Sequence, residues 1–212
     1  MRLYRFLSFE YAVESIETRR LKVSIVKELN DPFEIMPINL SEEQFSQKLE
    51  KWKEEFSKHY GLICFSKRWD NILLWSHYAD KHKGLVLGFD VSKENCIEVG
   101  YTAERLKINC RKAVEQTEHM NKILFDLLGT KAIDWDYEKE VRIVTKLTDC
   151  KYVQPLYFDE FSKKLELKEV LIGMECKVSQ EDMRKLLTGK LSSVDVKKIS
   201  PAPSKFGLIQ HP

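Results

Sequence analysis

The chain has little that would commit it to a familiar chemistry. Only 8 of its 212 residues are glycine and 6 are proline, a composition that argues against fibrous or low-complexity sequence, so folding is expected along nearly the whole length. No Gly-x-Gly-x-x-Gly, Gly-x-x-x-x-Gly-Lys-Ser/Thr or His-Glu-x-x-His occurs; the usual dinucleotide domain, the phosphate-loop enzymes and the zinc proteases all lose support. The 5 cysteines, Cys64, Cys96, Cys110, Cys150 and Cys176, include no Cys-x-x-Cys pair, and reduced thiols explain an odd, scattered set better than a disulfide framework or a zinc site. With 35 Lys plus Arg against 33 Asp plus Glu the formal charge is only +2, which steers the chain weakly toward nucleic acid. No segment reaches the roughly 18 apolar residues of a membrane span, and Met1-Arg2-Leu3-Tyr4-Arg5-Phe6 lacks the apolar stretch of a signal peptide. No membrane partner and a cytoplasmic location are therefore expected.

What is present is 43% hydrophobic residues in short periodic runs, enough for one substantial core, and the economical reading is a single domain over 1–212. Leu3–Phe6 reads as a strand and Ser8 as the N-cap of a helix with Ala12, Val13 and Ile16 on its apolar stripe. Leu21–Ile25 alternates and reads as a second strand before Asn30-Asp31-Pro32 stops it. Glu42 to His59 is helical, with Phe45, Leu49, Trp52 and Phe56 on one face, and Gly61 is expected to end that run before the strand Leu62–Phe65. Ile72 to Asp80 is a helix, Leu85–Phe89 a core strand, Cys96 to Tyr101 a further strand, and Ala113 to Leu128 a longer helix. Late in the chain come a strand at Leu167–Gly173, a helix capped by Ser179, a strand at Val194–Ile199, and a tail from Phe206 to Ile209 that could return to a sheet edge. Several strands follow one another without helices between them, which predicts an α+β domain, a mixed and largely antiparallel or split sheet flanked by helices.

Three places could carry chemistry. Tyr137 to Val144 reads Tyr-Glu-Lys-Glu-Val-Arg-Ile-Val; as a strand it sets Glu138, Glu140 and Arg142 on one face and sends Val141 and Ile143 to the core. Paired carboxylates on one face need solvent, a cation or a ligand to offset their repulsion, so an exposed edge without function competes with a binding site. Leu29-Asn30-Asp31-Pro32-Phe33-Glu34 fixes a turn, alone or framing a pocket; Asp31 and Glu34 could meet a cation, but two carboxylates are too few, and no required metal is predicted. In Leu74-Trp75-Ser76-His77-Tyr78-Ala79, Trp75 reads as a core residue and Tyr78 as one that could face a planar ligand, with His82 a surface neighbour. Lys107, Arg111 and Lys112 make a modest basic group that solvated helix charge explains.

Taken jointly, Leu3-Tyr4-Arg5-Phe6, Leu29 to Glu34, Cys64-Phe65-Ser66, Leu74 to Ala79, Lys83-Gly84-Leu85 and Glu138-Lys139-Glu140-Val141-Arg142 resemble the bacterial domain-of-unknown-function family 2971 (DUF2971), over roughly residues 3–144. A second resemblance is to the ADP-ribosyltransferase-like fold, with Arg5 matching the early-strand basic position, Ser66 or Tyr78 the middle one, and Glu140 the late-strand acid in a Glu-x-Glu with Glu138. That resemblance implies NAD as the ligand: Arg5 on its pyrophosphate, Ser66 and Tyr78 in the cofactor site with Tyr78 against the nicotinamide, and Glu140 with Glu138 as the catalytic carboxylates. It implies ADP-ribosyl transfer to a protein, nucleic-acid or water acceptor, or NAD cleavage. The alternative is a noncatalytic domain that binds a nucleotide, a nucleic acid or a protein, in which those residues would be dispersed.

Overall fold

The computed structural model describes residues 1–29, 31, 33, 43–94, 96–106, 123 and 125–211, without the side chains of 43–46 and 48. Elements β1 (Arg2–Leu7), α1 (Phe9–Thr18) and β2 (Arg20–Val23) open the chain. Ser8 caps α1 by accepting from the Tyr11 N–H at 3.5 Å, and Arg19, with φ 51°, ends it in the left-handed region. A 3-10 turn at Val26–Glu28 follows, then α2 (Glu43–His59), β3 (Tyr60–Ser66), α3 (Ile72–Tyr78), β4 (Leu85–Val91), β5 (Cys96–Glu98), β6 (Gly100–Thr102), β7 (Thr130–Ala132), a 3-10 turn at Ile133–Glu138 and β8 (Glu140–Lys146). The C-terminal third carries β9 (Lys151–Val153), β10 (Leu156–Glu160), β11 (Leu165–Ile172), α4 (Gln180–Leu186), β12 (Asp195–Pro201) and β13 (Leu208–His211).

The principal sheet has 8 strands in the order β13-β12-β11-β4-β1-β3-β8-β5, antiparallel except for β11 with β12. A 3-stranded sheet, β2-β10-β9, and a parallel pair, β6-β7, complete the described strands. The fold is α+β, with mixed and largely antiparallel sheets flanked by helices. Alternation along the strands divides the core by face. On one face Leu3, Ile63, Phe65, Leu87, Phe89 and Val141 pack against Ala12 and Ile16 of α1, Leu21 and Val23 of β2, and Met183 of α4. The other face carries two smaller clusters. One sets Leu74 and Trp75 of α3 over Phe6, Val86, Leu171 and Ile199; the other sets Leu49 of α2 with Ile123, Leu127 and Leu128 over Leu62.

Several expectations change against this frame. Gly61 does not end a helix but sits inside β3, where a Cβ would meet Val23 Cγ1 at 2.3 Å; glycine is there for the close approach of β2. The predicted strand from Cys96 to Tyr101 is two strands in different sheets, β5 and β6. The β9-β10 ribbon was unpredicted, because its Tyr152, Val153 and Tyr157 do not alternate with polar residues over a strand length. The side chain of Phe45, the turn residues Asn30, Pro32 and Glu34, the helix from Ala113 as far as residue 122, and the group Lys107, Arg111 and Lys112 lie outside the described residues. The four described cysteines, Cys64, Cys96, Cys150 and Cys176, are free thiols, and no helix among the described residues is long and apolar enough to cross a membrane.

The link from α3 to β4 fastens the end of α3 to the chain after β11. Asp80, Lys81 and His82 follow one another with φ of 43°, 53° and 69°, a costly run for non-glycine residues, and hydrogen bonds from His82 N to Trp75 O (3.2 Å) and from Glu175 N to His82 O (3.1 Å) hold it. Gly84 closes this turn onto β1: a Cβ there would lie 2.1 Å from the Leu7 carbonyl oxygen. Gly84→Ala should therefore cost about 1–3 kcal/mol, the range for overpacking against atoms that cannot swing away, measured by urea denaturation.

Candidate functional site

Strands β1 and β3 are paired through one position, Tyr4 with Ser66. Further along, the edge of β3 is taken by Ser24, which exchanges two hydrogen bonds with Leu62 at 2.9 and 2.8 Å. Between these points the strands part. A main-chain carbonyl exposed by such a gap needs a donor, and Arg5 supplies it, donating from a terminal guanidinium nitrogen to Cys64 O at 2.6 Å. The cleft at this opening is lined by Arg5, Phe6, Ser66, Tyr78, Lys131, Glu138 and Glu140 among others, with Ser24, Glu28 and Leu29 as one wall, and has a volume of about 720 Å³ including its mouth. The five residues that the resemblance assigned to a site, Arg5, Ser66, Tyr78, Glu138 and Glu140, line it.

The two carboxylates do not arrive as predicted. Glu138 is not on the strand: it ends the 3-10 turn Ile133–Glu138, and Lys139, with φ 46°, turns the chain before β8 begins at Glu140. The strand register holds only from Glu140 onward, where Val141 is fully buried and Ile143 packs partly buried on the same core. Nor is the pair on an exposed edge, since Glu138 and Glu140 keep 5% and 6% of their surface. The charge that offsets their repulsion comes from two cations that sequence reasoning did not assign to the site. Arg142, fully buried, donates Nε and a terminal nitrogen to the two oxygens of Glu140, both at 2.9 Å, and its other terminal nitrogen to Leu128 O at 3.0 Å. Lys131, brought from β7, places Nζ 2.8 Å from Glu138 Oε2 and 3.5 Å from Glu140 Oε2, over the Trp135 ring at 4.6 Å. Arg142 was readable as the second residue after Glu140 on one strand face; Lys131 had no such signal, because its approach depends on the β6-β7 pair.

These contacts make the carboxylates unequal. Burial raises the Glu138 carboxyl above its ordinary range, against the opposing charge and hydrogen bond of Lys131 and a 2.7 Å hydrogen bond from the Tyr78 hydroxyl. Burial acts on Glu140 in the same sense, but the Arg142 charge and fork, with Lys131 beside them, outweigh it and hold this carboxyl below the usual range. Behind them the Tyr101 hydroxyl accepts the Glu140 N–H at 2.8 Å, and burial pushes that phenol up to about 12. Burial likewise pushes the Cys64 thiol up, so it is no nucleophile in this setting.

Ser66 and Trp75 serve the frame. The Ser66 hydroxyl donates to Glu138 O at 2.6 Å and accepts the Arg68 N–H at 3.0 Å, which ties the end of β3 to the turn that aims Glu138. Trp75 is fully buried, as expected, with its indole N–H donating to Trp69 O at 2.6 Å. Tyr78, one helical turn on, reaches the cleft. His82 sits against the Trp75 ring and bonds Ser76 at 3.2 Å, away from the cleft lining. Asp31 accepts the Phe33 N–H at 2.9 Å, the turn bond expected of it. Among the described residues no group of His, Cys, Asp and Glu is arranged to hold a metal ion.

Charge on the cleft wall is nearly balanced. Glu28 pairs with Lys22 at 3.0 Å, Glu138 with Lys131, and Glu140 with Arg142, whereas Arg5 forms no ion pair among the described residues.

No curated protein and no solved structure matches the chain. Residues 74–143, about a third of the chain and the span that contains Tyr78, Lys131, Glu138, Glu140 and Arg142 but neither Arg5 nor Ser66, are similar to a family described as "Protein of unknown function (DUF2971)".

Proposed function

We propose that the cleft binds NAD and that the chain cleaves its nicotinamide–ribose bond, passing the ADP-ribosyl group to an acceptor or to water. The observation that carries this reading is the convergence of Arg5, Tyr78, Glu138 and Glu140 on one cleft in which Arg5 alone of the lining charges lacks an ion-pair partner among the described residues. A guanidinium with no ion-pair partner among the described residues favours an anionic ligand, and its planar fork suits two oxygens of a pyrophosphate. The enclosed part of the cleft, about 150 Å³, is smaller than the roughly 300–1,000 Å³ of sites that enclose a whole small molecule, so under this reading most of the dinucleotide lies in the open mouth.

The residues have separable tasks under this reading. Arg5 holds the diphosphate. The Tyr78 ring gives the nicotinamide a wall, while its hydroxyl stays committed to Glu138. Glu140, kept ionised by Arg142, faces the positive charge that builds on the ribose as the glycosidic bond opens. Glu138, whose carboxyl lies above its ordinary range, is the better of the two to take a proton from an incoming acceptor, since paired carboxylates with diverging pKa values divide acid–base work in this way.

Titration calorimetry of NAD against wild-type protein and Arg5→Met tests the ligand, and nicotinamide release followed by chromatography tests the reaction. Wild type should bind NAD, and Arg5→Met should weaken it at least about tenfold, the loss of one charge-assisted contact. Binding without nicotinamide release over hours would leave a noncatalytic nucleotide-binding domain; absence of binding at millimolar NAD would overturn the reading altogether.

A further inference from the structure

Lys131 is the least expected group in the cleft. It keeps 8% of its surface, comes from a two-stranded parallel pair rather than from the principal sheet, and lies within reach of both carboxylates. A buried ammonium is costly unless several partners share it. Glu138 Oε2, Glu140 Oε2 and the face of Trp135 provide them here. Glu140 does not depend on this cation, because Arg142 already bonds both of its oxygens. Glu138 does: its other contact is the neutral Tyr78 hydroxyl at Oε1, and no other cation pairs with it among the described residues.

We propose that Lys131 is the positioning residue of this cleft: its ammonium aims the Glu138 carboxylate and keeps it charged, so that Glu138 is ready to accept a proton at lower pH than it would be without Lys131. The inference deepens the reading above and rests on it for the identity of the proton donor, an acceptor group in the ADP-ribosyl transfer; the Lys131–Glu138 relation itself stands on geometry alone. Two contacts fix the orientation of Glu138, one to each oxygen, so loss of Lys131 frees one end of the carboxylate as well as removing the charge. The parallel pair β6-β7 then has a purpose: Tyr101 from one strand and Lys131 from the other bring a hydroxyl and a cation behind the start of β8.

The charged and titratable groups that face Glu138 can be named element by element. They are Lys131 on β7, Tyr78 on α3, Glu140 and Arg142 on β8, Tyr101 on β6 and Tyr137 in its own turn. Arg5 on β1 and Cys64 on β3 complete the nearby set across the cleft. Of these only Lys131 bonds Glu138 as a cation, and burial works against ionisation. Removing Lys131 leaves the burial and the repulsion from Glu140 opposed only by the Tyr78 hydrogen bond among the contacts of Glu138.

The test uses the whole chain with 13C-labelled glutamate carboxyls, the Glu138 signal being assigned by its loss in Glu138→Gln. Its titration midpoint is compared in wild type, Lys131→Met, Lys131→Gln and Lys131→Arg. The first two should raise the midpoint by about one pH unit or more, as expected when an opposite charge in contact is lost, and Lys131→Arg should return it toward wild type. Lys131→Gln keeps a donor in place of the ammonium and remains informative if Lys131→Met does not fold. A Glu138 midpoint unchanged in either folded variant overturns the proposal. The acid limb of nicotinamide release should move with the midpoint. If the midpoint moves while wild type releases no nicotinamide at any pH, the cleavage reading fails and the role of Lys131 stands.

Discussion

Arg142→Met should destabilise the protein by about 3–5 kcal/mol, the cost of leaving a buried carboxylate without its partner. Arg142 is fully buried, and Nε and both terminal nitrogens are spent on Glu140 and the Leu128 carbonyl. Once it is gone Glu140 retains Lys131 at 3.5 Å, a cation whose shorter contact is to the other carboxylate. Adding Glu140→Gln to Arg142→Met should recover much of the loss, because an uncharged pair in a dry site no longer carries the desolvation penalty of an isolated ion. Denaturation midpoints of the two single variants and the double variant give the coupling directly. Equal stabilities for wild type and Arg142→Met would mean that the fork contributes nothing. The pH dependence has a fixed sign: Glu140 is depressed in the folded state, so its contribution is complete above the ordinary glutamate range near about pH 4.3 and is lost as pH falls through the depressed value. Glu138, raised by burial, contributes in the opposite sense.

Much of the framework was legible because it rests on local periodicity. Phe6, Val86 and Leu171 lie on one face, and Leu3, Leu87 and Phe89 on the other, as alternation within each strand requires. Ser8 and Ser179 cap their helices as their side chains suggest. The return of the tail to the sheet edge as β13 was readable from Leu208 and Ile209. Departures came where a long-range contact overrode a local rule. Gly61 looks like a helix stop until β2 is seen pressing against it, and Glu138 fits the strand alternation until Ser66 fastens its carbonyl into a turn.

The candidate site was legible in a different sense. Arg5, Ser66, Tyr78, Glu138 and Glu140 were drawn from four separate segments by residue type and resemblance, and one cleft receives all of them. What the sequence withheld is how the charges are paid off. Arg142 could have been an ordinary member of a polar strand face, and nothing in Thr130-Lys131-Ala132 marks a lysine destined for a buried carboxylate. That relation is created by register between β6 and β7, fixed by Gly100 opposite Thr130 and Tyr101 opposite Lys131, and pairwise registers of this kind are not encoded by periodicity within either strand.

The same geometry sharpens what a substitution at Glu140 must show. Glu140→Gln should slow nicotinamide release by about 100-fold or more, the loss that follows removal of one preorganised electrostatic contact to a developing charge, with NAD affinity changed far less because Arg5 and the cleft walls remain. The substitution is not isosteric in its bonding, however. An amide offers one acceptor oxygen to a guanidinium that presents two donors, and its own N–H groups would face one of them. Some loss of stability must accompany Glu140→Gln, and a fall in rate alone would confuse an unfolded fraction with a slowed reaction. The double variant Glu140→Gln, Arg142→Met separates the two, since it removes the donor conflict while still lacking the carboxylate: stability should return and turnover should not. Nicotinamide release restored together with stability would assign Glu140 to the scaffold and leave the chemistry, if the cleft performs any, to Glu138.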